Sequence, residues 1–165
     1  QGFKDTFRRV ADILRRHNPS VRTEWCNVKK GSQRGSVLTM YPGDDAVDII
    51  SVDYYDGWPA VNTEKIWNDM YNATNKGGPW GIGAWLSFAR SRGKKFACPE
   101  WGIMIGNGPG TKDNPLYIQK MYEFFSRNRT SIAYENYFNQ RRQHQLTPSS
   151  ANPRSSAMYR RLWGR

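Results

Sequence analysis

The 165-residue sequence contains only two cysteines, Cys26 and Cys98, and only two histidines, His17 and His144. Two cysteines with no Cys-x-x-Cys pair cannot build a zinc cage, and the histidines fall in different predicted elements, so no metal and no cofactor is expected. Both cysteines read as small apolar core residues, which leaves the redox compartment open. No apolar run approaches the ~20 residues that cross a bilayer, so no membrane partner is expected. The start also lacks the charged, apolar, small-residue order of a signal peptide, and Gln1 in place of Met reads as processing or truncation. Acidic residues are scarce, 14 against 25 Lys and Arg, for a formal charge of +11. That balance favours an anionic partner in general. Its distribution does not: Arg8, Arg9, Arg15 and Arg16 lie on the outer face of a predicted helix, read as solvated. The pairs Lys29-Lys30, Lys94-Lys95, Arg141-Arg142 and Arg160-Arg161 are scattered, with no nucleic-acid motif among them. Nucleic acid is therefore not the expected partner.

Aromatic residues are plentiful. At 14% of the chain, with seven Trp within a 38% hydrophobic content, they exclude disorder. The length suits one domain over residues 1–165. Helix-like and strand-like segments alternate without a long linker, which predicts an α/β architecture with a parallel sheet. A first helix over about 3–16 carries Phe3, Phe7, Val10, Ala11 and Leu14 on its apolar face and stops before Asn18-Pro19. Strands follow over 21–28 and 47–55, the second nearly continuous in β-branched residues, as a strand covered on both faces should be. Asn62-Thr63-Glu64 opens a helix bearing Ile66, Trp67, Met70 and Tyr71; another spans about 82–92. Segments 30–35, 76–81 and 106–110 read as loops, and the last, without a Lys-Ser or Lys-Thr end, is no phosphate loop. A strand over 94–102 leads to a helix capped by Asp113 or Asn114, with Pro115 in its first turn and Tyr117, Met121, Phe124 and Phe125 buried. A last strand over 131–139 and a short helix capped by Ser155-Ser156 complete the chain.

Lys94 to Gly102, reading Lys-Lys-Phe-Ala-Cys-Pro-Glu-Trp-Gly, delivers one carboxylate, Glu100, to a strand's C-terminal end beside an indole. A carboxylate there can attack or stabilise an anomeric carbon while an aromatic face packs on a sugar's C–H surface. Taken alone, the segment reads more readily as a strand-end Glu that caps the following turn. Tyr41-Pro42-Gly43-Asp44-Asp45-Ala46-Val47-Asp48-Ile49-Ile50-Ser51-Val52-Asp53-Tyr54-Tyr55-Asp56 adds context: it resembles the sixth-strand region of glycoside hydrolase family 26, the β-mannanase-like family of retaining (β/α)8 enzymes. Lys94 to Gly102 is similar to that family's seventh-strand motif, and Tyr134-Glu135-Asn136-Tyr137-Phe138-Asn139 agrees in order and spacing with the last strand.

The resemblance aligns the first helix with the one after the family's fourth strand and so implies the C-terminal half of a (β/α)8 barrel, strands five to eight; the chain is too short for a whole barrel of about 250 residues. It implies Glu100 as nucleophile and Tyr54 as the residue that orients it, unless Tyr54 only fills a strand end. It further implies a β-linked polysaccharide, mannan or a relative, as substrate, and a secreted or extracytoplasmic location. Trp25, Trp58, Trp80 and Trp101, at or beyond strand ends, are candidate sugar platforms or gap-fillers, Trp101 foremost. Asp53, Tyr55 and Asp56 complete the expected substrate-binding set, although strand-end Asp residues also satisfy loop amides. The family's acid/base Glu belongs to a fourth strand, and no matching motif occurs in this sequence. Glu135 is a weak substitute, and alternation could turn it toward the helices. A fragment of a longer enzyme, a half barrel completed by a second chain or the N-terminal half, and a noncatalytic carbohydrate binder all remain open.

Overall fold

The computed structural model describes residues 2–29, 35–104, 110, 112–141, 144–149 and 151–164. The predicted loops over 30–35 and 106–110 fall mostly outside these residues, as do the basic residues Lys30 and Arg142. Helix α1 (Gly2–His17) leads into strand β1 (Glu24–Val28), a single 3-10 turn (Val37–Met40) and β2 (Ile49–Tyr55). Then come α2 (Glu64–Tyr71), a small hairpin of β3 (Thr74–Asn75) and β4 (Gly78–Pro79), and α3 (Ile82–Ser91). The chain continues through β5 (Lys95–Gly102), α4 (Pro115–Arg127), β6 (Ile132–Tyr137) and α5 (Pro153–Trp163). The hairpin replaces part of the loop expected over 76–81, with Lys76 and Gly77 at positive φ making its turn.

Strands β1, β2, β5 and β6 form one sheet in that order, every pair parallel. Helices α2 to α5 cover one of its sides, burying Ile50, Val52, Tyr54, Phe96 and Trp101 from the sheet against Trp85, Leu86, Tyr117, Met121 and Phe124. The caps follow local chemistry. Thr63 accepts from Ile66 N at the start of α2, and Asn114 accepts from Tyr117 N at the start of α4, with Pro115 at the first helical position. For α5 the expected cap is corrected: the helix begins after Asn152, and Ser155 and Ser156 are buried inside its first turn. Their place as acceptor is taken by Asp113, whose carboxylate receives Ser155 N at 2.7 Å and Arg154 N at 3.1 Å.

Pro99 marks a one-residue bulge in β5. Ser51 to Tyr54 is three steps along β2, yet the partners Ala97 to Trp101 span four along β5. Pro99 has no N–H to give the ladder, and the extra residue absorbs that gap. The bulge reverses the strand's alternation. Phe96, stacked edge-on at 5.9 Å against Phe124, and Trp101, 5.7 Å from Phe125, both face the helices although five residues apart. Uninterrupted pleating would put them on opposite faces and would turn Glu100 toward the helices.

Helix α1 departs from the sequence reading. Of its expected buried face only Ala11 is buried, while Phe3, Val10 and Leu14 are 48%, 49% and 44% exposed. Phe7 and Ala11 pack inward, and Arg8 and Arg15, expected to be solvated, reach Asp45 at 2.7 Å and Asp48 at 2.8 Å. Among the described residues no helix is long and apolar enough to cross a membrane.

Candidate active site

The open inner side of the sheet gathers the chemistry. Ser51, Asp53 and Tyr55 alternate inward from β2, and the bulge turns Glu100 inward from β5 to meet them. At the C-terminal ends of the strands Val28, Asp53, Tyr55, Trp58, Glu100 and Met104 line a hollow of about 340 Å³. The Tyr55 hydroxyl donates to Glu100 Oε2 at 2.9 Å. Burial first, then that bond to Glu100, holds the Tyr55 phenol protonated well above its ordinary range, so it stays a donor throughout neutral pH. Glu100 is half-buried, with its carboxylate on the hollow.

Tyr54, expected to orient Glu100, does not touch it. Its side chain is buried on the opposite face, where its backbone carbonyl accepts from the Tyr117 hydroxyl at 2.5 Å and the Lys29 ammonium sits 4.6 Å over its ring. The position belongs to Tyr55 because adjacent residues of a strand point to opposite faces. Trp101 is likewise sealed among aromatic rings, with Tyr137 at 4.9 Å and Trp163 at 5.3 Å, and cannot offer a face to a sugar. Trp25 packs against Tyr41 at 5.0 Å and Trp85 at 5.9 Å in the core. Asp56 is fully buried, accepting from Val61 N and Asn114 Nδ2, both at 2.7 Å, and ties the loop after β2 to α4. Trp80 is half-buried beside the hairpin, away from the hollow. Trp58 alone among the candidate indoles stands on the rim, 58% exposed, with its backbone at φ 56.

Asp53 shares the hollow. Burial raises its carboxyl above the ordinary range, and the charges of Glu100 and Glu24 add to this against a hydrogen bond from the Cys26 thiol at 3.4 Å. Cys26 is therefore not the buried apolar residue expected: it faces inward and is exposed, while Cys98 is buried. Although the residue as a whole is exposed, its thiol is turned onto Asp53, and the partial desolvation there pushes it up to about 12, so it is a donor and not a thiolate at neutral pH. Glu135 faces the helices, receiving Trp101 Nε1 at 2.5 Å and Trp163 Nε1 at 2.9 Å, so its carboxylate pins α5 and is turned away from the hollow. Across the inner side, Tyr134 of β6 donates to Glu24 of β1, so side chains from the two outermost strands of the sheet meet. A sheet whose outer strands touch in this way is curled into an arc.

Two residues at the site carry no signal in the sequence reading. Lys29, counted there only among scattered basic pairs, is buried beneath the hollow and donates to Gly57 O at 2.7 Å and Tyr55 O at 3.3 Å. Burial pulls its ammonium down to about 8, partly offset by Asp56. His144 is buried against the Tyr55 ring, 4.5 Å between centroids. Its segment is polar, with neither periodicity nor motif. No group of three or more His, Cys, Asp or Glu suited to a metal occurs among the described residues.

No known protein-family model matches the chain. No curated protein sequence matches it either. Solved structures do. A modular endo-β-1,4-mannanase of glycoside hydrolase family 26 from Cellulomonas fimi aligns over 94% of this chain at 20% identity with a TM-score of 0.63. The catalytic domain of a family 26 endo-β-1,4-mannanase from Bacillus sp. JAMB-750 aligns over 95% at 19% and 0.54, and a family 113 β-1,4-mannanase over 98% at 15% and 0.54. The chain spans 34%, 43% and 52% of their respective lengths, about a third to a half. At such identities the likeness is one of fold: the four-stranded parallel arc with its covering helices matches part of the α/β barrel of those structures.

Proposed function

We propose that this chain is the nucleophile-bearing section of a retaining β-glycan hydrolase acting on mannan or a related polysaccharide. The observation that carries the reading is the Tyr55 hydroxyl held 2.9 Å from Glu100 Oε2, at the C-terminal end of a parallel sheet and open to a hollow with an exposed indole on its rim. Barrel enzymes keep their chemistry at that end. Glu100 attacks the anomeric carbon as the glycosidic C–O bond breaks. An acid from outside this chain protonates the departing oxygen, and water later releases the sugar with that group acting as base. Tyr55 steadies the attacking oxygen, Trp58 offers its face to a pyranose, and Asp53 binds a sugar hydroxyl. Polymers of this type are met outside the cell, so the reading includes a secreted protein.

The same reading assigns the inner side and the α1 flank to a partner: further βα units of the barrel, from the same protein or a second chain. Phe3, Val10 and Leu14 with Glu24 border an apolar groove of about 370 Å³ beside the free edge of β1, where a neighbouring strand and helix of a barrel would pack. Sedimentation of the purified chain is expected to find association; a stable, well-folded monomer removes this part of the proposal.

An activated 2-deoxy-2-fluoro glycoside tests the chemistry, because its good leaving group reduces the need for the acid. Mass spectrometry is expected to find the label on the Glu100 peptide and to lose it in Glu100→Gln. Sugar binding with no label identifies a noncatalytic carbohydrate binder, and affinity for anionic polymers that falls steeply with salt identifies a polyanion binder instead.

A further inference from the structure

We infer that His144 is a positioning residue for Glu100, acting through Tyr55. The inference rests on the function proposed above only for the role of Glu100. The imidazole is fixed from two sides. Its Nδ1 lies 2.6 Å from the Ile103 carbonyl, which can only accept, so Nδ1 carries the proton and Nε2 is the atom that titrates. Its ring lies on that of Tyr55, 4.5 Å between centroids at 36°, and Phe138 backs both rings at 5.8 Å from His144 and 6.2 Å from Tyr55. A phenol whose ring is held on one face, with its hydroxyl on Glu100, has little freedom to swing away from the carboxylate.

The backbone around His144 is anchored in turn. Its carbonyl accepts from the Tyr137 hydroxyl at 2.7 Å, and that hydroxyl oxygen accepts from Ile103 N at 3.3 Å. Asn139 Oδ1 accepts from Leu146 N at 2.7 Å, and Asn152 donates to the Gln145 carbonyl at 2.7 Å. Strands β5 and β6 thus grip the segment that presents the ring. The titratable groups facing it are Tyr55 from β2, Glu100 from β5 and Tyr137 from β6. Burial lowers the imidazole below its ordinary value more than the Ile103 carbonyl and the Glu100 charge raise it, so the ring is neutral at pH 7 and acts by contact.

Two measurements on the full chain test this. The first is nitrogen-15 imidazole NMR, assigned with His17→Gln, since the sequence has only two histidines. A ring protonated on Nδ1 is expected, with a titration midpoint that falls in Glu100→Gln because a nearby negative charge has gone. A ring protonated on Nε2, or a midpoint that does not move, overturns the inference. The second is the rate of covalent labelling of Glu100 by the activated fluoro-glycoside. His144→Ala should slow it by roughly tenfold or more, the scale of effect of a misplaced reacting group. His144→Phe, which keeps a stacking ring, should recover most of the rate. Adding His144→Ala to Tyr55→Phe should slow it no further than Tyr55→Phe does. Labelling of His144→Ala at the wild-type rate, or independent multiplicative effects of the two changes, overturns it. A folded wild-type chain that takes up no label removes the glycosidase reading, while the nitrogen spectrum still decides whether His144 is linked to Glu100.

Discussion

The helix-facing side of the sheet is sealed by Ile50, Val52, Tyr54, Phe96 and Trp101, each at most 1% exposed, whereas the inner side presents Asp53, Tyr55 and Glu100 to an open hollow and also carries the exposed Cys26 and Tyr134. The two sides are built from the same strands, often from adjacent residues. Tyr54 and Tyr55 are neighbours in sequence, yet one lies in the core and the other holds a carboxylate. Glu100 and Trp101 divide in the same way. Packing and chemistry are thus assigned by which way a residue points, and substitutions on the two sides should separate stability from site function.

The largest separation is expected at Trp101. Trp101→Ala empties a space ringed by Tyr117, Phe125, Tyr137, Tyr159 and Trp163, and should cost about 3–5 kcal/mol in urea unfolding. A loss below about 1 kcal/mol would mean that the aromatic cluster is not packed as described. Next comes Lys29, which lies between the two sides. Its folded value of about 8 is below the ordinary 10.5, so between these values the unfolded chain holds a proton that the folded chain has released. Lys29 should therefore contribute stability that rises with pH across that window, by on the order of 3 kcal/mol, read as the difference between the wild type and Lys29→Met because the raised Cys26 and Cys98 thiols act in the opposite sense above about 9. Parallel profiles for the wild type and Lys29→Met would show the ammonium to be solvated.

Inner-side changes should leave stability nearly intact. Tyr55→Phe removes one partly buried hydrogen bond, for about 1 kcal/mol, yet should slow labelling of Glu100 while Tyr54→Phe does not. Equal labelling by the two variants would break the distinction between the faces. Trp58→Ala, at an exposed rim position, should shift stability by no more than about 0.5 kcal/mol while weakening oligosaccharide binding in calorimetry.

Much of the fold was legible because hydrophobic periodicity, caps and prolines act locally. The strand over 47–55, the Asn114-Pro115 helix start and the Glu100 strand all lie where their side-chain patterns put them. The assignment of Tyr54 was readable and was missed: Ile50, Val52 and Tyr54 alternate with Ser51, Asp53 and Tyr55, so the apolar set marks the core side and leaves Tyr55 on the other. Trp101 was not readable in this way. Counting by twos from Phe96 puts Glu100 on the core side and Trp101 inward, and only the bulge at Pro99 reverses them. His144 lay beyond sequence reasoning altogether, since its contacts with Ile103 and Tyr55 join segments far apart in the chain.

By itself the sequence determined that parallel strands alternate with helices, and that one carboxylate stands near a strand's C-terminal end. Hydrophobic period and helix-capping chemistry are properties of neighbouring residues. Which face that carboxylate takes, whether the inward tyrosine reaches it, and which indole remains open were decided only in the tertiary structure. Inter-strand register, one inserted residue and the packing of distant segments set those directions, and none of the three is written in any single stretch of chain.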